Sequence, residues 1–566
     1  MNRKTGIIVG FYIPGVYPPG RDDVQVNLLA PAFLKSSADA DLDISREYDL
    51  EIISASIKVD QKALARRISE KSPFFVSYSV YLWNYSETVE SSGLVKMLSP
   101  SVKILYGGPQ VSFLREETME EVPHVDVIIA GSGEERFKDL LKCDFDIKKL
   151  AEMPNVAYRE EGDNRIVLTE GYVKEDVSKI PSPFTAKAIN LDDGNKHTVM
   201  IETFRGCPMQ CAYCQWGSPD GSTYRFPIDQ ILQDIEIIYN NPNVEYVYLT
   251  DANLFYTPKK HWKTIIDKIA SCSRRIPTVA SLDIRVLNEE MIKALSKIEL
   301  ALNQYQFGMQ STNPNALDLA NRKCSNETWE AGISLIRSID PESQISLEVI
   351  YGLPGDNYEG FLNTVDFALG LSPNKFYMFP LLVLPGTPFW DRRDEFEFEM
   401  TEKPEYMVIS NKEYSLEDMR RTFEFATWFQ AMQRFPAIQR ALLSSTNGRR
   451  KVDVIQQYIS QLQKRTGLGA EVDFDFTLRS SNRILREIMD NVFRPENSFK
   501  AYEITSEIVS GDGNGISKDI QLGLDYYGAR KKESVGEVDN CFIEEFGKEK
   551  LSRIKCNWFV SHNNIG

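Results

Sequence analysis

Long apolar runs are missing from this chain. No stretch approaches the roughly 18 consecutive apolar residues that a helix needs to cross a bilayer. Histidine is scarce, with four residues in 566, so a site built on imidazole has little to draw on. Basic excess is missing as well. A formal net charge of −16 leaves no surplus of Lys and Arg to neutralise a nucleic-acid backbone, and small molecules or peptides remain as partners. Cysteines number eight, and Cys143, Cys272, Cys324, Cys541 and Cys556 are scattered without a pairing pattern. That distribution argues against a disulfide framework and suits a reducing compartment. The opening "MNRKTGIIVGFYIPG" has basic residues before an apolar run, but the run is short, ends in Pro and Gly and lacks a small-residue cleavage site. It reads as a first β-strand, and the expected location is cytoplasmic.

What is present is enough hydrophobic residue for a substantial core, 42% against 26% charged. At roughly 100–200 residues per domain, about three domains are expected. Over residues 1–150, "TGIIVGF", "YDLEIIS", "PFFVSYSVY", "SVKILYGG" and "VDVIIAG" read as strands, with helical patterns such as "DQKALARRISEK" and "EERFKDLLK" between them. Near-continuous apolar strands alternating with helices imply a parallel sheet covered on both faces. Five of them at this spacing suggest a flavodoxin-like, Rossmann-type order with its ligand at the strand carboxyl ends. Ser79, Gly107, Gly108, Gly131 and Gly133 fall there, and glycine lets a ligand approach the backbone. The same glycines would also serve tight strand-to-helix turns.

Residues 151–194 read as a hairpin, "PNVAYREEGDNRIVLTEG", and a proline-stiffened connection. From 195 to 398 the alternation resumes, with six strand candidates from "HTVMIETF" to "KFYMFPLLVLPG". Six β/α units fall short of a closed eight-fold barrel, so a partial (βα)6 TIM barrel is expected, with its site at the strand carboxyl ends. Residues 399–566 change character to mainly helical. Ser415 followed by Asp418 is close to a capping box, and Phe423, Trp428, Phe429 and Phe435 recur at helical spacing near Arg420 and Arg421.

The remaining three cysteines, Cys207, Cys211 and Cys214, crowd into "RGCPMQCAYCQWGS" directly after the first barrel strand. Structural zinc usually takes four ligands, commonly from two knuckles, and only one is present. A [4Fe–4S] cluster takes one cysteine per iron, so three would leave one iron open to a substrate or cofactor. The spacing favours the cluster, with zinc and unligated thiols as the other readings.

"CPMQCAYC", together with "LTDANLF", "SLDIR", "FGMQS", "VIYGLPGD" and "LPGTPF" at the successive strand ends, resembles the radical S-adenosylmethionine (SAM) superfamily. That resemblance implies a [4Fe–4S] cluster on Cys207, Cys211 and Cys214, with SAM on its open iron. It places Tyr213 beside adenine and Asp251, Ser281, Arg285, Gln310 and Glu348 at positions that commonly meet SAM. The usual Gly-Gly-Glu after the second strand is replaced by "LTDAN".

With the flavodoxin-like segment in front, the whole resembles the cobalamin-binding radical SAM class. "SYSVYLWN", "YGGPQ" and "GSGEE" match its corrin-contacting turns and imply Ser79, Tyr81, Leu82, Gly107, Gly108, Pro109, Gln110, Gly131, Gly133 and Glu134 as cobalamin contacts. No Asp-x-His-x-x-Gly loop is found, so the corrin is expected to bind without a histidine lower ligand, with Tyr81 and Leu82 candidates to cover that face. "CQWGS" and "DANL" are similar to stretches of the tryptophan C-methyltransferase branch.

The resemblance implies a cobalamin-dependent SAM methyltransferase acting on a carbon of a small natural-product precursor, amino acid or short peptide, by radical or polar transfer. An electron donor of flavodoxin or ferredoxin type is implied as partner, with neither nucleic acid nor membrane. The alternative enzyme reading keeps cluster and SAM but treats the first domain as a relic, with dehydration, cyclisation or ring contraction as the chemistry. The non-enzymatic reading is a zinc-stabilised scaffold. A methylthiotransferase would need three further cysteines in the first domain, where only Cys143 occurs. Residues 399–566 are expected to cover the substrate, and the aromatic helix near residue 425 within them is read either as core or as the lining of a substrate cavity.

Overall fold

A computed structural model of the chain describes residues 3–15, 18, 21, 23–160, 164–171, 176–216, 221–401, 405–444, 446, 448–467, 494–511 and 517–530. The readings on Cys541 and Cys556, and those that fall on residues 468–493 and 531–566, lie outside these residues. So do parts of "YIPGVYPPGRDD" and "CQWGS".

Strands β1 (Lys4–Tyr12), β3 (Tyr48–Ser56), β4 (Phe75–Ser79), β5 (Lys103–Gly107) and β6 (Val127–Ile129) form a parallel sheet in the order β3-β1-β4-β5-β6. Numbered along the chain, that is the 2-1-3-4-5 order of a flavodoxin-like fold. Alternate residues of β1 serve opposite faces, with Ile7 and Val9 in one buried cluster and Ile8 in the other. Each such aliphatic side chain contributes about 1.5–3 kcal/mol by leaving water. The hairpin read from "PNVAYREEGDNRIVLTEG" is β7 (Val156–Arg159) and β8 (Ile166–Leu168), and it extends the same sheet antiparallel from β6.

A second, open barrel follows. Strands β9 (Lys196–Ile201), β12 (Val244–Leu249) and β13 (Thr278–Ala280) pair in parallel, as do β14 (Gln304–Gln310), β15 (Gln344–Tyr351) and β16 (Lys375–Pro380). Bridges Thr278–Leu300 and Leu282–Phe307 join the two halves into one arc. Two short strands after β9, β10 (Phe204–Arg205) and β11 (Tyr224–Arg225), bracket the cysteine loop.

One strand of this arc comes from elsewhere. Strand β2 (Val24–Asn27), from the first segment, pairs in parallel with the outer edge of β9. It is fixed there by Asn27 Nδ2, 3.0 Å from His197 Nδ1, and by His197 Nε2, 3.0 Å from Asp193. At the opposite edge, the Gln433 amide accepts from Phe376 N (2.9 Å) and donates to Phe376 O (2.7 Å), which completes the exposed ladder of β16. A small hairpin, β17 (Glu399–Met400) and β18 (Val408–Ser410), extends past the end of β16 through Val383 N to Tyr406 O and Val408 N to Leu381 O.

The helix Leu416–Met432 begins at Ser415, whose hydroxyl accepts from Asp418 N. Its aromatics belong to the core. Phe423, Trp428 and Phe429 are at most 5% exposed, and Phe435 just beyond is fully buried. Phe429 stacks edge-on against Phe376 of β16, and Phe425 against Phe361 of the helix Tyr358–Gly370. Arg421 lies over the Tyr358 ring at 3.9 Å. The reading of these rings as a cavity lining is therefore corrected: helical periodicity predicted burial, and the last strand and last helix of the barrel supply it.

Candidate functional site

The cysteine loop leaves β9 through backbone that only particular residues tolerate. Gly206 has φ 95°, and a Cβ there would collide with the Ser222 carbonyl. Gln210 is also left-handed, at φ 48°. Hydrogen bonds from two distant turns fix the loop. Ala212 N donates to Ala320 O (2.9 Å), and Asn321 Nδ2 to Met209 O (3.2 Å) and Gln210 O (3.0 Å). On the other side Phe389 N donates to Ala212 O (3.0 Å), and Gln215 Nε2 to Pro385 O (2.5 Å).

Cys207, Cys211 and Cys214 are all free thiols, Cys211 buried and the other two partly exposed. Burial pushes the Cys207 thiol up, with the neighbouring Cys211 adding to it; it pushes Cys214 up to about 11, where both other cysteines add. The three thiols are thus close enough to feel one another. Among the described residues, however, no three His, Cys, Asp or Glu side chains converge on a single-ion site. A [4Fe–4S] group takes one cysteine per iron, so three free thiols in one loop are a donor set it can use.

Sequence reasoning missed the cation beside these thiols. Arg322 places Nη1 3.9 Å from Cys211 Sγ and 3.2 Å from Asp283 Oδ2, and Nη2 donates to Gly308 O (3.0 Å). Asp283 also binds Arg285 through Nε (2.9 Å) and the Tyr256 hydroxyl (2.5 Å). Burial alone would raise the Asp283 carboxyl. The hydrogen bonds from Arg285 and Tyr256 and the charge of Arg322 overcome it and hold the group well below the usual carboxylate range. "SLDIR" carried Asp283 in view, but Arg322 lies beyond the helix that follows β14, where no spacing singles it out.

The expected SAM contacts divide. Tyr213 is half-buried against the cluster loop, next to Cys211. Ser281 lies just past β13 and hydrogen-bonds the Tyr248 side chain. Gln310, at φ 70°, ends β14 at a register shift and folds back over Gly308, where any Cβ would meet its amide. Glu348 of β15 accepts from Gln306 Nε2, and burial raises its carboxyl. Two others are committed elsewhere. Asp251 is 1% exposed and accepts from Thr203 N (2.8 Å), Thr203 Oγ1 (2.6 Å) and Phe204 N (3.2 Å), so it anchors the start of the cysteine loop. Burial raises its carboxyl to about 7, against the hydrogen bonds from Thr203. Arg285 is held by Asp283 and does not present a free fork.

At the carboxyl edge of the first sheet, Asn84 closes the turn after β4, accepting from Tyr81 N (2.8 Å) and donating to Ser79 O (3.0 Å). Tyr81 stacks on Trp83 at 5.6 Å, and Leu82 opens the short helical turn that follows. A Cβ on Gly107 or Gly131 would make ordinary van der Waals contact at 3.6 Å and one on Gly133 at 3.5 Å, although Gly131 has φ 77°, a conformation that favours glycine. Gly133 precedes the helix Glu134–Lys142. Glycines at these strand ends let a ligand approach the backbone.

Three of the expected corrin contacts serve other purposes. Gly108 has φ 112°, and a Cβ would sit 2.5 Å from Val80 O, so it is the turn itself, leading into Pro109 at the start of a short helix. Gln110 is 5% exposed and donates to the Tyr406 hydroxyl (3.0 Å). Glu134 is 5% exposed and accepts from Arg205 (2.9 Å).

Those last contacts establish how the two sheets meet. Glu134 follows β6 and Arg205 follows β9, while Gln110 follows β5 and Tyr406 precedes β18. Phe113 lies against Gly386, in the turn after β16. The carboxyl edge of the first sheet therefore spans the open mouth of the barrel, from its first strand to its last.

Comparison with known proteins agrees with this layout. Residues 201–368 match the family model of the radical SAM superfamily and residues 42–141 that of the B12 binding domain. A cobalamin-dependent radical SAM methyltransferase, TokK of Streptomyces tokunonensis, is 25% identical over 438 residues, 74% of this chain and 62% of its own length. The chain thus spans less than two thirds of that relative. Among solved structures, OxsB, a cobalamin-dependent SAM radical enzyme with aqua-cobalamin and SAM bound, superposes with a TM-score of 0.59 at 13% identity, covering 98% of this chain and 84% of its own. TsrM from Kitasatospora setae, a radical SAM methyltransferase with cobalamin and a [4Fe–4S] cluster bound, gives 0.54 at 15% identity, covering 71% and 76%. The first domain implies cobalamin and the second a [4Fe–4S] cluster with SAM, and three free thiols in one loop are a donor set that such a cluster takes. The chain thus combines a B12-binding domain with a radical SAM domain, the first laid across the mouth of the partial barrel formed by the second.

Proposed function

We propose that the protein is a cobalamin-dependent methyltransferase that uses SAM to methylate a carbon centre of a small natural-product precursor or amino acid. One observation carries this reading: the glycine-lined edge of the first sheet and the cysteine loop of the barrel open onto the same junction. A methyl group can pass between two cofactors and a substrate only where all three meet, and no other place in the described fold offers both sites at once. The 25%-identical relative TokK, itself described as a cobalamin-dependent radical SAM methyltransferase, supports the class of reaction.

In this reading Cys207, Cys211 and Cys214 hold the cluster, and Arg322 places a positive charge beside Cys211. Tyr213, Ser281, Gln310 and Glu348 receive SAM, and Asp251 and Asp283 position the loop and the arginines around it. Ser79, Tyr81, Leu82, Gly107, Pro109, Gly131 and Gly133 receive the corrin. When bound, these groups supply SAM cleavage at the cluster and methyl carriage at the corrin. The chain's own part is to bind, orient and exclude water. An electron donor of flavodoxin or ferredoxin type supplies the cluster.

The test is anaerobic incubation of the reconstituted full chain with SAM carrying a deuterated methyl group, against a panel of aromatic amino acids and small natural-product precursors. Mass detection of a trideuteromethyl group on carbon supports the proposal. Turnover of SAM to a product without added carbon, in a protein that holds corrin, overturns it.

A further inference from the structure

We infer that Arg205 is a positioning residue, a half-buried latch that sets the spacing between the corrin-side and cluster-side sites. This rests on the two-cofactor reading above. Arg205 stands two residues before Cys207, in the short strand that opens the cysteine loop. Glu134 stands at the first position of the helix that follows β6, one residue beyond Gly133. The ion pair between them, 2.9 Å from Nη2 to Oε1, therefore joins the backbone of one proposed cofactor site directly to that of the other. The same guanidinium binds Glu202 at 3.0 Å.

Three features distinguish this pair from an ordinary surface ion pair. The carboxylates are shielded, with side-chain exposures of 7% for Glu134 and 18% for Glu202, so solvent screens them little. The guanidinium carbon lies 5.8 Å from the centroids of both Phe33 and Phe226, whose rings stack at 5.5 Å, and this restrains where the fork points. Its plane serves two carboxylates at once, a geometry that lysine cannot reproduce. Phe33 belongs to the helix Leu29–Asp39 of the first segment and Phe226 to the barrel side, so the aromatic clamp spans the same junction. A half-buried guanidinium shared by both acidic groups ties the two loops together at a fixed distance.

The test uses the full chain loaded with both cofactors, comparing wild type with Glu134→Gln and Arg205→Lys. Pulsed dipolar electron paramagnetic resonance between Co(II) corrin and the reduced cluster reads their separation. Wild type should show one narrow separation. Both variants should lose it for a broad distribution, with iron and corrin content unchanged. An unchanged narrow separation in both variants overturns the inference. Hydrogen exchange of the protein without cofactors provides a second readout that does not depend on loading. Glu134→Gln should speed exchange at residues 134–137 and 202–207 together, and faster exchange on one side only overturns the latch. Wild type that binds neither cofactor would instead defeat the reading under Proposed function, so the two failures are distinguishable.

Discussion

At the scale of single residues, the proposed function assigns the cluster to the three thiols. Replacing Cys207, Cys211 or Cys214 with Ala should abolish the brown chromophore and SAM cleavage, whereas Cys143→Ser and Cys324→Ser should keep both. Iron and sulfide analysis of each variant checks this, and full cluster content in any variant of the first set would contradict the ligand assignment. Asp251 gives a second prediction, on pH. Burial raises its carboxyl to about 7, well above the value near 3.9 of an unfolded chain. The folded protein therefore holds this proton more tightly than the unfolded one. Its contribution to stability is complete below about pH 4 and is lost as the pH rises through about 7, an effect on the order of a few kcal/mol. Asp251→Asn can still accept from the Thr203 and Phe204 amides through Oδ1 and can donate to the Thr203 hydroxyl. Thermal melts from pH 5 to 8 should thus fall less steeply for Asp251→Asn than for wild type; parallel curves would show that Asp251 does not titrate in this window. The crowding of three thiols into one short loop is legible in the sequence because it stands out among eight cysteines. Arg322, Asp283 and Asn321 are not, because what makes them part of the site is a contact across 39 residues of chain or more, which no local pattern records.

Elements were read more completely than their neighbours. The five parallel strands and the six barrel strands follow from apolar runs punctuated by glycine, and their order follows from the short right-handed crossovers. Strand β2 escaped notice because "VQVN" is four residues long and follows a stretch of Pro and Gly; its place beside β9 is set by Asn27 and His197, not by its own propensity. Gln433 escaped for a similar reason, since a glutamine in a helix gives no sign that it completes a strand edge. Gln433→Ala removes both hydrogen bonds to Phe376 and should cost about 1–3 kcal/mol. Denaturant unfolding measures this, and a change below a few tenths of a kcal/mol would mean that water replaces the amide. The turns also separate two glycines that sequence treated alike. Gly108→Ala meets the Val80 backbone in a left-handed conformation and should destabilise by about 1–3 kcal/mol, while Gly107→Ala should be close to neutral for folding and act, if anywhere, on corrin binding.

On the scale of the whole molecule, two sheets meet edge to mouth. Sequence could place both sites at strand carboxyl ends, because that is where α/β sheets bind ligands. The orientation of one sheet to the other needed Glu134–Arg205, Gln110–Tyr406 and Phe113 against Gly386. The lower face of the corrin follows from the same view. The segments proposed to meet the corrin, at the carboxyl ends of β4, β5 and β6, contain none of the described histidines: His124 lies on the amino side of β6, His197 in β9 and His261 in the helix Lys259–Ser271. The Co(II) spectrum should therefore lack superhyperfine splitting from a histidine nitrogen, and its appearance would refute that assignment.

The central claim is that one chain carries both a four-iron cluster and a corrin at facing strand ends. Metal, sulfide and corrin analysis of the anaerobically reconstituted full chain tests it most directly. The account predicts about four irons, held through three cysteines with one iron left open, and one corrin per chain. Stoichiometric zinc in place of iron, or a full cluster with no corrin retained, would contradict it.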